Sequence, residues 1–150
     1  MKVLITGGAG FIGSQVGHYL EKKNHNVILM DNMSYGHDDN LEIEGKPIGE
    51  FALFDVREDF SSILDGVDAV IHLAAIAPLP ECQSNPISAI DNNISGTANV
   101  IQLCREKGIK KIIFASTSAI YENSEETPYR EDDTLSSEPD LIYAWTKRAS

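Results

Sequence analysis

The residues most able to do chemistry in this 150-residue sequence open with Gly7-Gly8-Ala9-Gly10-Phe11-Ile12-Gly13, which fits G-x-G-x-x-G and, through Gly7, Gly10 and Gly13, the wider G-x-x-G-x-x-G. A dinucleotide diphosphate needs backbone close to its oxygens, where a β-carbon would collide, and N–H groups at a helix start aimed at its charge. Glycines between a strand and a helix supply both. A merely tight turn would use the same residue type. What sharpens the pattern is its context, a strand before, a helix after and an acid, Asp31, about twenty residues on. A carboxylate at that strand end can accept both ribose hydroxyls of an adenosine and would repel a 2′-phosphate. No Arg or Lys lies between residues 32 and 45 to offset the repulsion, so NAD is expected rather than NADP. Asp55 ends the next apolar run and could meet an adenine edge or be an ordinary strand-end acid; its position alone leaves both open.

The second group lies near the other end of the chain. Tyr143 and Lys147 are four apart at the start of an expected helix and so share one face. A phenol is a poor base at neutral pH, but a neighbouring ammonium and a cationic nicotinamide both favour phenolate. Tyrosine then becomes a usable general base. Thr117, just past an expected strand, would stand at the carboxyl edge of the sheet, where its hydroxyl could meet a substrate hydroxyl; Ser116 and Ser118 compete for that role.

These groups need a scaffold. Lys2 to Thr6 is an apolar run, and Phe11 to Lys23 carries Ile12, Val16, Tyr19 and Leu20 at helical spacing. Further strands are expected at Asn26 to Met30, Phe51 to Phe54, Asp68 to Ala75 and Lys111 to Ser116, with residues 32 to 49 as loop. Ser84-Asn85-Pro86 is a helix-start signal, and Ile87, Ile90, Ile94, Ala98 and Ile101 form one stripe of a helix ending near Lys107-Gly108. Continuous apolar strands alternating with helices predict an α/β fold, a doubly wound parallel sheet with helices on both faces. Residues 1–150 read as one domain, and a helix opening at Tyr143 and cut at Ser150 implies a longer protein.

Composition narrows the partners. Twelve basic against twenty-three acidic residues give a net charge of −11, which disfavours nucleic acid and anionic membrane. Eight acids between residues 122 and 140, against the single base Arg130, read as a solvated loop. Cys82 and Cys104 have neither disulfide-framework nor zinc spacing, and His18, His25 and His37 show no ligand grouping, so no metal is expected. His72 reads as structural. With no signal-peptide core and no long apolar run, a cytoplasmic location is expected.

The ordered set Thr6-Gly7-Gly8-Ala9-Gly10-Phe11-Ile12-Gly13, Asp31-Asn32, Asp55-Val56-Arg57, His72-Leu73-Ala74-Ala75, Asp91 to Thr97, Ser116-Thr117-Ser118-Ala119-Ile120-Tyr121 and Tyr143-x-x-x-Lys147 resembles the extended short-chain dehydrogenase/reductases. More narrowly it is similar to the NAD-dependent nucleotide-sugar epimerase/dehydratase family, and the likeness covers nearly the whole chain. The resemblance implies a Rossmann-type fold. It puts Phe11 and Ile12 beside the pyrophosphate, Asp31 and Asn32 at the adenosine ribose, and Asp55 and Val56 at the adenine. Leu73, Ala74 and Ala75 would line the nicotinamide half, with Asn92 and Ser116 near it. Thr117 would take the catalytic Ser/Thr place, Tyr143 that of the base and Lys147 that of the residue on the nicotinamide ribose.

The family mechanism takes the proton of a sugar hydroxyl on Tyr143 while the carbon's hydride passes to the nicotinamide, and returns the hydride to the other face of the keto-sugar. Dehydratase relatives carry Asp-Glu after the threonine; here Ser118-Ala119 stand there, which favours epimerisation. Glu122 replaces the family's glycine after Tyr121. Relatives run to about twice this length, with a second half that grips the nucleotide of the substrate, expected to be UDP-linked, and they commonly pair as homodimers. The rival expectations are a non-catalytic NAD-binding module, a dehydratase and a reductase.

Overall fold

The computed structural model describes residues 1–121, 128–131 and 140–150. In chain order the elements are β1 (Lys2–Thr6), α1 (Phe11–Lys22), β2 (Asn26–Asp31), β3 (Glu42–Ile43), β4 (Lys46–Pro47), β5 (Glu50–Leu53), β6 (Ala69–His72), α2 (Leu79–Ser84), α3 (Pro86–Ile90), a π turn (Asp91–Ser95), α4 (Gly96–Glu106), β7 (Ile112–Phe114) and α5 (Ile142–Ala149). Single 3-10 turns lie at Asp38–Leu41, Ser61–Leu64 and Ser118–Tyr121. The chain forms two compact units. Most of the acidic stretch, including Glu122, lies outside the described residues.

The first unit comprises Met1–Ala74 and Gly96–Ala115. Its sheet is parallel throughout, in the order β5-β2-β1-β6-β7. Side chains alternate across the sheet, and both faces are buried. Leu4, Ile28, Met30 and Val70 pack with Val100, Leu103 and Cys104 of α4 and with Phe60 and Leu64. Val3, Ile5, Val27 and Leu29 pack with Val16 and Leu20 of α1. This is the doubly wound Rossmann-type architecture, whose continuous apolar strands follow from burial on two sides. The chain runs outward from β1 in both directions, so the carboxyl ends of β1 and β6 flank a topological switch point.

Helix α1 meets the sheet through small residues. Gly13, Ser14 and Gly17 are its buried positions, whereas Ile12 and Tyr19 of the expected stripe are exposed. A Cβ at Gly17 would come within 2.8 Å of Leu29 Cδ2, so glycine is what lets the helix approach. Residues 32–49, expected as loop, contain the β3–β4 hairpin, turned by Glu44 and Gly45 with φ of 54° and 74°.

The second unit comprises Ala75–Ser95 and Ser116–Ser150. Within it α5 packs against α2, α3, the π turn and the turn Ser118–Tyr121. Its small core is Ile76, Cys82 and Ala89, joined by Ile142 and Tyr143. Asn85 caps α3 as its spacing predicts, accepting the Ser88 N–H at 3.2 Å. Gln83 does the same for α5, accepting the Ile142 N–H at 2.7 Å.

The single helix expected over about 86–107 is broken into α3, a π turn and α4, and its apolar stripe is not the buried one. Ile87 is 80% exposed, and Ile90 and Ile101 are exposed as well. The buried positions are Ala89, Asn92, Asn93, Gly96, Thr97, Val100, Leu103 and Cys104. Small and hydrogen-bonded polar residues can be buried closely, and a π turn shifts the face by one residue.

Candidate active site

In the first unit the glycine turn leads from β1 into α1. Gly7 has φ +72°, and a Cβ there would come within 2.8 Å of the Ala74 nitrogen; one at Gly13 would run into the Gly7 carbonyl oxygen. Both close approaches therefore require glycine. Gly10 is the N-cap of α1 and offers no side-chain cap, and the first turn carries no acid. Phe11 is 78% and Ile12 62% exposed. A helix start with donors uncapped by its own side chains and no negative charge of its own suits a diphosphate.

Asp31 is tied to that turn. Its Oδ2 accepts the Ala9 N–H at 3.0 Å and its Oδ1 the Met33 N–H at 2.9 Å. Residues expected in a loop complete the clamp. Asn40 Nδ2 donates to the Ala9 carbonyl at 2.8 Å and the His37 N–H to the same oxygen at 3.1 Å. Gly36 lies so close that a Cβ would come within 3.0 Å of Asp31 Oδ1. The only signal for these was glycine and asparagine shortly after the strand-end acid.

Asn32 and Asp55 are neighbours, with Asn32 Nδ2 donating to Asp55 Oδ2 at 2.8 Å. Arg57 forks onto the same carboxylate, Nε to Oδ1 and Nη2 to Oδ2, both at 2.8 Å. The Arg57 hydrogen bond, opposed by partial burial and aided by Asn32, holds the Asp55 carboxyl well below the usual carboxylate range. Val56 is buried, and a Cβ on Gly96 would come within 2.7 Å of its Cγ2. Leu73 and Ala74 back the glycine turn. Beneath them, Thr6 Oγ1 accepts the Ala74 N–H and meets His72, which bonds Thr97 Oγ1 through Nε2 at 2.9 Å. His72 is thus a satisfied interior residue of this unit.

In the second unit, Ala75 is half-buried, Asn92 buried, Ser116 exposed and Thr117 half-buried. Thr117 Oγ1 accepts the Ala119 N–H at 3.2 Å, opening the turn that α5 packs against. Tyr143 and Lys147 are one helical turn apart, with Lys147 Nζ over the Tyr143 ring, 6.0 Å from its centroid. Lys147 is only 5% exposed, and desolvation pushes its ammonium down to about 8. The expected lowering of the phenol by its neighbours is opposed by desolvation. Burial raises Tyr143 above its ordinary value, with Cys82 acting in the same direction. Among the described residues no cluster of three His, Cys, Asp or Glu could hold a metal ion, and no helix is long and apolar enough to cross a membrane.

A parallel sheet of this order, with a glycine turn at its switch point and an acid closing the next strand, defines the dinucleotide-binding class of α/β proteins. Within that class, the chain belongs to the NAD dependent epimerase/dehydratase family, whose sequence profile matches residues 3–150. It is 34% identical over 139 residues to a UDP-glucose 4-epimerase of Lactobacillus helveticus, covering 90% of this chain and 41% of that protein. It is 39% identical over 149 residues to a UDP-N-acetyl-alpha-D-glucosaminuronate decarboxylase of Bacillus cytotoxicus, covering 98% and 44%. The crystal structure of UDP-glucose-4-epimerase from Stenotrophomonas maltophila, with bound NAD and formylated UDP-arabinopyranose, superposes with a TM-score of 0.91 at 29% identity, covering 99% of this chain and 46% of that one. The chain spans less than half the length of each of these three proteins.

Proposed function

We propose that this chain is the NAD-binding portion of a cytoplasmic UDP-sugar 4-epimerase whose remaining part grips the nucleotide of the substrate. The observation that carries the reading is the Tyr143–Lys147 pair on one face of α5, in a chain that matches the family from residue 3 to residue 150. Bound NAD would supply a hydride acceptor and, when oxidised, a positive charge. Gly7, Gly10, Phe11, Ile12 and Gly13 would hold its diphosphate, Asp31 and Asn32 the adenosine ribose, and Asp55 and Val56 the adenine. Leu73, Ala74, Ala75, Asn92 and Ser116 are assigned to the nicotinamide half.

Tyr143 is assigned as the base that accepts the sugar hydroxyl's proton, Thr117 as the group that orients that hydroxyl, and Lys147 as the cation that holds the nicotinamide ribose and favours phenolate. Most of the rate then comes from orientation, with the redox chemistry left to the coenzyme. The exposed Ile87, Ile90 and Ile101 support a homodimer of the full-length protein.

The test is chromatography of UDP-glucose and UDP-galactose incubated with the full-length protein, alongside its Tyr143→Phe variant. Interconversion without net NADH, slowed at least about 10²-fold by Tyr143→Phe with NAD still bound, is expected. Absence of any epimer, or a variant as fast as the parent, overturns the reading. The identity to a decarboxylase favours one alternative outcome: release of carbon dioxide from a UDP-glycuronate.

A further inference from the structure

Asn93 lies in the π turn of the second unit, beside the Asn92 assigned to the coenzyme, and is only 2% exposed. Its amide engages both backbone polar groups of a single residue. Oδ1 accepts the Ile76 N–H at 2.8 Å and Nδ2 donates to the Ile76 carbonyl at 3.0 Å. That pairing fixes which end of the amide is oxygen, since the N–H cannot accept and the carbonyl cannot donate. The second Nδ2 hydrogen goes to Thr146 Oγ1 at 3.0 Å, and that hydroxyl donates onward to the Tyr143 carbonyl at 2.8 Å. Ser150 Oγ bonds the Asn93 and Thr146 carbonyls at 2.9 and 2.7 Å.

An unbroken hydrogen-bonded path therefore runs from the segment after β6, through Asn93 and Thr146, to the backbone of Tyr143. Thr146 is fully buried. A hydroxyl bonding back three residues in a helix is ordinarily neutral or slightly unfavourable. Here its second partner is the buried asparagine of the π turn, a rare element that is often found at functional sites.

We propose that Asn93 is a positioning residue that, through the Thr146 hydroxyl, fixes the first turn of α5 and with it the depth at which the Tyr143 phenol is buried. The proposal rests on the reading of Tyr143 as the base only for its functional meaning; the positioning itself is measurable without turnover. It predicts that cutting the path at Thr146 lets the turn relax and water reach the phenol.

The experiment uses the 150-residue chain with 13Cζ-labelled tyrosine. Its five tyrosines are followed by NMR against pH, with Tyr143→Phe identifying the resonance of interest. Thr146→Val, close in shape but without the hydroxyl, is expected to lower the Tyr143 midpoint by about half a pH unit or more. Asn93→Ala is expected to move it in the same direction. Thr146→Ser, which keeps the hydroxyl, is expected to restore the parent midpoint, an outcome that general loosening would not produce. Thr146→Ala carries the same expectation as Thr146→Val if valine prevents folding. A folded Thr146→Val or Thr146→Ala chain whose Tyr143 titrates as in the parent overturns the proposal. Retained turnover in Tyr143→Phe would instead overturn the base assignment and leave this titration result standing.

Discussion

Thr6 Oγ1 lies 2.6 Å from His72 Nδ1, and the same oxygen accepts the Ala74 N–H at 3.2 Å. One hydroxyl thus joins β1 to β6 and secures the backbone against which Gly7 rests. Thr6→Val keeps the shape and leaves the Ala74 N–H without that acceptor, which costs about 1–3 kcal/mol for a buried group. Urea denaturation should show a loss of that order, largely regained in Thr6→Ser. Equal stability of the valine variant would remove the hydroxyl from the account.

Gly13 and Gly66 make a matched pair. Gly13→Ala drives a methyl into the Gly7 carbonyl and should cost about 1–3 kcal/mol. Gly66 has φ +73° with nothing within 4 Å of a built Cβ, so Gly66→Ala should cost about 1–2 kcal/mol through backbone conformation alone. Similar losses of stability should part company in calorimetry. Gly13→Ala is expected to weaken NAD uptake at least about tenfold, and Gly66→Ala to leave it unchanged. Parent-like uptake by Gly13→Ala would separate the glycine turn from the coenzyme.

Asp31 accepts the Ala9 and Met33 N–H groups, and the role proposed for it adds a second task, carrying the charge that would exclude a 2′-phosphate. Asp31→Asn removes the charge and puts an N–H₂ opposite one of those donors. NAD affinity should fall by about tenfold and NADP affinity much less, so the ratio of the two dissociation constants moves toward NADP. An unchanged ratio would show that another residue sets the preference.

Lys147 makes stability depend on pH. Its folded value, about 8, lies below the 10.5 of an unperturbed lysine because burial disfavours the ammonium. Below both values the ammonium is charged in both states, and the full penalty applies. Between them the unfolded chain binds the extra proton, so stability rises with pH through this window. The rise across the whole window should total about 3 kcal/mol. Above the ordinary value of tyrosine, Tyr143 acts oppositely, since its raised folded value keeps a proton that the unfolded chain has lost. Denaturation midpoints between pH 7 and about 9 should climb in the parent and not in Lys147→Met; above about 9 the buried Cys82 and Cys104 thiols, pushed up by desolvation, act against the lysine.

The legible parts of the sequence are those where local chemistry has one solution. Lys2–Thr6, Asn26–Asp31 and the glycine turn match the structure because a strand covered on both faces must be apolar throughout, and a close approach to Ala74 must be glycine. Periodicity misled where it gave a face without saying what covers it. Ile87, Ile90 and Ile101 read as inward, yet the chain buries Asn93 and Thr97, whose polar groups are met by partners far away in sequence, and Gly96, against which Val56 packs closely. The β3–β4 hairpin escaped because two-residue strands carry no alternation, and Glu44-Gly45 is not the Asn-Gly or Asp-Gly pair that advertises such a turn. Asn40 reaches Ala9 across thirty-one residues, a pairing that no local window contains.

The Arg57 fork on Asp55 has a consequence for acid tolerance. A carboxylate gripped by a guanidinium that cannot deprotonate keeps its charge through mild acidification. Whatever Asp55 contributes to seating an adenine ring would therefore persist as the surroundings turn acidic.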